Sequence, residues 1–139
     1  MYKIGRIFLF RVPEEVELIK YLTEFAIRNN IKMAYLSGIG AFSEVKMGYF
    51  VREKNAYEPI EYNRLMELIS LTGNISIKEG KPIPHIHVVL GDRHGHTVGG
   101  HLLEAKVYMV EILVVEILGP ILERQEVAPG IWFWPETKL

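Results

Sequence analysis

Apolar side chains along this chain come in short runs punctuated by glycine, proline and asparagine, the pattern of a strand-rich domain. Ile4 to Val12 is the first run, with Phe8, Leu9 and Phe10 at its centre and Pro13 at its end, and it reads as a strand. Its arginines, Arg6 and Arg11, need an edge position or an acidic partner. Beyond Pro13 the period changes. Leu18, Ile19, Leu22, Phe25 and Ala26 recur every three to four residues, with Glu17, Lys20, Glu24 and Arg28 opposite them, which predicts an amphipathic helix. Pro13 suits its start, Glu14 and Glu15 complement the positive end of its dipole, and Asn29 and Asn30 suit its stop.

Strand signals fill the rest of the chain. Lys32 to Leu36 is a short strand entering Ser37-Gly38-Ile39-Gly40. Those glycines read as a bulge or tight turn between strands, because a phosphate-cradling loop would need the P-loop lysine or the third glycine of a dinucleotide fingerprint. Val45 to Val51 and Tyr57 to Tyr62 flank a charged hairpin, Arg52 to Asn55. Met66 to Thr72 is closed by Gly73 and Asn74, and Ile75 to Lys78 by Gly80. Val107 to Leu118, VYMVEILVVEIL, is apolar on both faces apart from its glutamates, and predicts a strand buried on both sides, by a helix and by further protein. The tail carries both tryptophans in Ile131-Trp132-Phe133-Trp134. Stacking on bases is one use for such a cluster, but a terminal strand sealing a core or a subunit interface is favoured. Many strands, one helix and one strand too apolar for a monomer surface predict an α+β domain that oligomerises.

Composition narrows the picture. The 139 residues fit one domain, spanning 1–139, with a single core. No apolar run approaches the roughly 20 residues of a spanning helix. The opening MYKIGRIFLF lacks the small-residue cleavage pattern of a signal peptide, so a cytoplasmic location is expected. With no cysteine, disulfides, thiolate metal sites and cysteine nucleophiles are excluded, and any metal must have nitrogen or oxygen ligands. A single glutamine, Gln125, beside many Ile, Glu and Lys residues follows the drift of heat-adapted proteins. A formal net charge of −1 gives no electrostatic reason to bind a polyanion.

All five histidines fall between His85 and His101, in HIHVVLGDRHGHTVGGH. On a strand, His85 and His87 share one face while Ile86 takes the other. A hairpin through Gly91, Asp92, Arg93, His94 and Gly95 would return the chain so that Gly99, Gly100 and His101 pass beside the first strand. The glycines permit close backbone approach, which frees His101 to lean inward. Three imidazoles with an open fourth position form the ligand set of catalytic zinc. Paired strand histidines that are merely hydrogen-bonded are the competing reading. His94 and His96 sit in the turn and read as solvated turn residues. Glu111 interrupts an apolar strand, where an unpaired carboxylate is costly. Pairing with an arginine such as Arg6 ranks first for it, ahead of orienting a histidine or acting as a catalytic base.

Pro84-His85-Ile86-His87, then Gly91-Asp92, then Gly99-Gly100-His101-Leu102, followed by Glu111 in its apolar strand, resembles the plant and prokaryote conserved (PPC) domain. The likeness extends to the opening strand, the helix, the Ser37 to Ala41 turn and Leu71-Thr72-Gly73-Asn74, and points to a stand-alone archaeal or bacterial member. It implies an α/β sandwich built around an antiparallel sheet and assembled as a homotrimer. It also implies a metal, zinc first, on His85, His87 and His101. Plant members place the domain after AT-hooks, Arg-Gly-Arg-Pro segments that bind the DNA minor groove, and similar domains are often labelled DNA-binding. This chain contains no Arg-Gly-Arg-Pro. Three functions follow as expectations. First is a trimeric binding and assembly module, with a metal or small ligand at the histidines and a regulatory role among its uses. Second is a metal-dependent hydrolase or lyase. Last is direct DNA binding, which near-zero charge disfavours.

Overall fold

The structure, a computed structural model, describes residues 1–139. In chain order the elements are β1 (Lys3–Val12), α1 (Leu18–Arg28), β2 (Ala34–Val51), a 3-10 turn (Arg52–Lys54), β3 (Ala56–Tyr62), β4 (Met66–Lys78), β5 (Lys81–Gly91), β6 (Thr97–Leu118), β7 (Gln125–Ala128) and β8 (Ile131–Phe133). Six strands form one sheet in the order β1-β6-β5-β4-β2-β3, and β2 pairs with β6 as well. Strands β6, β5, β4 and β2 therefore close a cycle of antiparallel pairings. Strands β7 and β8 make a separate hairpin. This is a mainly antiparallel α+β fold with one helix, as the apolar pattern predicts. No helix is long and apolar enough to cross a membrane.

The strands are longer than their sequence signals because several apparent stops are not stops. Strand β2 runs for 18 residues straight through the Gly38 to Gly40 region, where a register shift opposite β4 marks a bulge. Gly40 has φ +147, and a methyl group there would run into the Met109 carbonyl of β6. Strand β4 likewise runs through Gly73, where a methyl group would meet the His85 carbonyl of β5. Both glycines mark close backbone approach rather than chain reversal. The charged hairpin is a turn as expected, with Asn55 in the left-handed region at φ 48.

The helix starts later than Pro13 suggests. Glu17 is its N-cap, with its carboxylate accepting from the backbone N–H of Ile19 and Lys20. Glu14 and Glu15 lie outside it. The Glu15 N–H donates to the Val107 carbonyl at 2.8 Å and the Val107 N–H to the Val16 carbonyl at 3.0 Å, so this segment is tied to β6 instead. Leu18, Leu22 and Ala26 from α1 join Phe42, Met47, Ile86, Val110 and Ile112 from the sheet in one buried core. Each large side chain so buried contributes roughly 1.5–3 kcal/mol. On β1, Phe8 and Phe10 turn toward the helix and pack on Phe25 with ring centroids 5.2 Å and 4.7 Å away.

The other face of this region lies open within one chain. Val107, Val110, Ile112 and Val114 are buried, but Met109 and Glu111 are exposed and Leu113 and Val115 only half-buried. Within one chain β6 is covered on a single side. Its register aligns Leu113 with Leu9 and Ser37, and Val115 with Ile7 and Tyr35, so an apolar outer face spans β1, β6 and β2. Leu9 is 79% exposed on it.

The aromatic tail does not enter the core. Trp134 Nε1 donates to Ser76 Oγ at 2.9 Å, and Ser76, on the outer side of β4, is thereby fully buried. Trp132 faces the Lys78 ammonium, 4.6 Å from the ring centroid. The tail roofs part of the sheet's outer surface.

Candidate metal centre

Alternation along β5 sends Ile86 into the core, where it is wholly buried, and leaves His85 and His87 together on the outer face. The turn from Asp92 to His96 sets the register of the return strand. Asp92 Oδ1 accepts from the backbone N–H of His94 at 2.8 Å and of His96 at 3.0 Å, and Gly95 supplies a positive φ of 79. Gly91 then pairs with Thr97, and His87 with His101. Directly opposed residues share a face, so the third imidazole arrives beside the first two. Gly100 permits close approach on the other edge, since a methyl group there would lie 3.1 Å from the Gly48 carbonyl oxygen of β2.

One ligand nitrogen from each of His85, His87 and His101 falls in a group whose members all lie within 4.8 Å of one another. The ring centroids are 5.2 Å apart for His85 and His87, 5.2 Å for His85 and His101, and 5.6 Å for His87 and His101. Tyr57 from β3 stacks on His101 at 4.7 Å, and Phe133 from β8 stands edge-on to His85 at 5.8 Å. Both contacts restrict the rings.

The electrostatics favour neutral imidazoles. Burial pulls His85 down to about 4, helped by the charge of Arg124 and by His101 and His87. Burial likewise lowers His101 to about 4, with His87 and Arg124 adding to the effect. Their lone pairs are therefore free at neutral pH. The buried Nδ1 of His101 has no hydrogen-bond partner, an unusual state for a buried polar atom. No carboxylate shares the cluster. Three imidazole nitrogen donors without an acid fit a borderline divalent ion such as zinc and leave part of its coordination open.

The remaining sequence-derived candidates lie elsewhere. His94 and His96 stay in the turn, where His96 Nδ1 sits 3.2 Å from Asp92 Oδ2 and its side chain is solvated. Glu111 is ten residues beyond His101 on β6, on the order of 30 Å along an extended strand, and faces outward opposite Arg11 and Ile39. It does not pair with Arg6, which instead forks onto Glu116. Strand parity is the reason. Arg6 lies on the helix-facing side of β1 with Phe8 and Phe10, and Glu116 lies on that side of β6, whereas Glu111 lies on the other.

Arg124 belongs to the site and carries no sequence signal, since Leu122-Glu123-Arg124-Gln125 reads as an ordinary charged loop. Its backbone N–H donates to the Ile77 carbonyl at 2.7 Å, which turns the side chain inward to 5% exposure. Together with His85, His101, Lys78, Trp132 and Phe133 it lines a cavity of about 180 Å³.

A family description, the Plants and Prokaryotes Conserved (PCC) domain, matches residues 1–118. Among solved structures, a plant- and prokaryote-conserved protein of Pyrococcus horikoshii is 43% identical with a TM-score of 0.97, the match covering 100% of this chain and 97% of that one. A protein of Archaeoglobus fulgidus described as metal-containing is 36% identical with a TM-score of 0.92, covering 98% and 97%. One from Bacteroides thetaiotaomicron, described as a candidate DNA-binding protein, is 26% identical with a TM-score of 0.85, covering 97% of each. No curated protein matches the chain.

Proposed function

This chain belongs to the Plants and Prokaryotes Conserved domain family, and on that footing we propose that it is a cytoplasmic, homotrimeric binding module with a regulatory role, holding a divalent transition metal on His85, His87 and His101. Zinc is the first choice for a tri-imidazole donor set. The observation that carries the proposal is the convergence of three imidazoles from two paired strands, two of them held neutral by burial. The description of the Archaeoglobus relative as metal-containing supports it. When bound, the ion supplies a Lewis-acid position for a further ligand. His85, His87 and His101 hold it, while Tyr57 and Phe133 keep the rings in place.

The apolar outer face of β1, β6 and β2 supports self-association, because contiguous exposed apolar surface marks an interface. Relatives are described as candidate DNA-binding proteins, yet a net charge of −1 and the absence of Arg-Gly-Arg-Pro leave this chain without an electrostatic footprint for phosphates. Self and a small ligand are its proposed partners. The cavity beside the imidazoles favours one further reading, a metal-dependent hydrolase or lyase, in which Glu111 would take no part.

Elemental analysis of purified wild type beside a His85→Ala/His87→Ala variant tests the metal. One ion per chain is expected in the wild type and none in the variant. A wild type that neither contains nor takes up stoichiometric metal refutes it.

A further inference from the structure

We propose that the cavity between the histidine cluster and the β7–β8 hairpin binds a small oxyanion, the carboxylate or phosphate group of a ligand, with Arg124 as its anchor. The starting point is a charge imbalance. Arg124 is 5% exposed, and none of the chain's ion pairs includes it. Its partners are neutral: Nη2 donates to Asn74 Oδ1 at 2.6 Å, Nη1 reaches the Trp132 carbonyl only at 3.5 Å, and the buried Nε has no acceptor. A buried guanidinium without a counter-charge is strongly unfavourable.

The Ile77 hydrogen bond aims the side chain inward, and the Trp134 ring lies 5.5 Å from its guanidinium carbon, but neither contact neutralises its charge. Glu123 and Gln125 on either side are exposed, and an arginine on such a segment ordinarily reaches for solvent. This one is turned inward and braced by Asn74, which stands opposite His85 in the β4–β5 register. The cavity it faces contains no acidic residue, and its other cation is Lys78. Trp132, Phe133, Ile131 and Ile83 supply apolar walls that strengthen any ion pair formed there. The guanidinium fork matches the planar spacing of carboxylate and phosphate oxygens. The volume of about 180 Å³ lies below the roughly 300–1,000 Å³ of drug-sized sites and limits the ligand to a few heavy atoms.

The same cavity is lined by His85 and His101. A ligand anchored on Arg124 thus presents its other end to the imidazoles, and this second contact rests on the metal reading above. The Arg124 contact does not.

Calorimetric titration of metal-replete wild type with inorganic phosphate and, separately, with malonate distinguishes the two oxyanion sources. Saturable binding of at least one anion, one per chain, is expected. In Arg124→Met the affinity should fall about 10-fold to 100-fold, as expected for a lost charge-assisted hydrogen bond, with metal content unchanged. Equal affinity in that variant, or no binding of either anion to metal-replete wild type, overturns the proposal. If Arg124→Met does not fold, the wild type decides alone. Either anion should raise its melting temperature above that in chloride of equal ionic strength, and no rise overturns the proposal. Metal content is measured on the same samples. Arg124-dependent binding to protein that takes up no metal would sink the metal reading while sustaining the oxyanion site.

Discussion

His87 and His101 stand directly opposite one another across the β5–β6 hairpin, ring centroids 5.6 Å apart, and His85 lies 5.2 Å from each. The pairing register alone creates this proximity. A slip of one residue would carry His101 to the opposite face of the sheet.

The first prediction concerns pH. In the unfolded chain His85 and His101 take up protons near their ordinary 6.5, but in the folded chain only near 4. Between those values the unfolded state binds more protons, so the stability of the metal-free protein is complete above about 6.5 and falls as pH drops toward 4. Urea unfolding at pH 7.5, 5.5 and 4.5 should show a declining midpoint, with a shallower decline in a His85→Asn variant. Equal slopes in the two proteins would contradict the assignment.

Glu116 and Arg6 give the second. Glu116 is 7% exposed and accepts from the Arg6 backbone N–H at 3.0 Å, from Nε at 2.8 Å and from Nη2 at 2.9 Å. Arg6 Nη2 also donates to the Asn29 carbonyl at the end of α1, so the pair joins β1, β6 and the helix. Glu116→Ala should cost about 2 kcal/mol, between the value of a charge-assisted hydrogen bond and that of an exposed ion pair, because Arg6 is half exposed. The Arg6 hydrogen bonds hold the Glu116 carboxyl below its ordinary 4.5. Its stabilisation is therefore present above about 4.5 and is lost as pH falls through the lowered value. Denaturation midpoints at pH 7 and pH 3 should converge between wild type and Glu116→Ala at the acidic end.

Gly73 tests the close approach of strands. A Cβ there meets the His85 carbonyl oxygen, which is backbone and cannot swing aside. Gly73→Ala should destabilise by at least about 2 kcal/mol and weaken metal uptake, whereas Gly80→Ala, with nothing near its Cβ, strains only a positive φ of 79. Thermal melts of both variants separate the two effects.

The outer face supplies the last. Leu9→Glu places a charge in the centre of the exposed apolar surface, beside Leu113. Light scattering at micromolar concentration should show an assembled wild type and a monomeric variant with an unchanged circular dichroism spectrum. A monomeric wild type would remove self-association from the proposal.

Periodicity by itself determined that one helix packs on a mainly β domain, and that His85 and His87 share a face, because both follow from the geometry of a few consecutive residues. The glycine pair before His101 pointed to the third imidazole for the same reason. Tertiary structure decided the rest. Gly38 to Gly40 read as a bulge or tight turn between strands and Gly73 as a strand end; the first is a bulge inside β2 and the second lies inside β4, since close approach by β6 and β5 favours glycine as strongly as a turn does. Arg6 chose Glu116 over Glu111 through a register that neither strand encodes alone. Arg124 is fixed by Asn74, 50 residues away in sequence, and by the Ile77 carbonyl. Such long-range pairings depend on which surfaces the closed sheet brings together, and a linear pattern carries no trace of them.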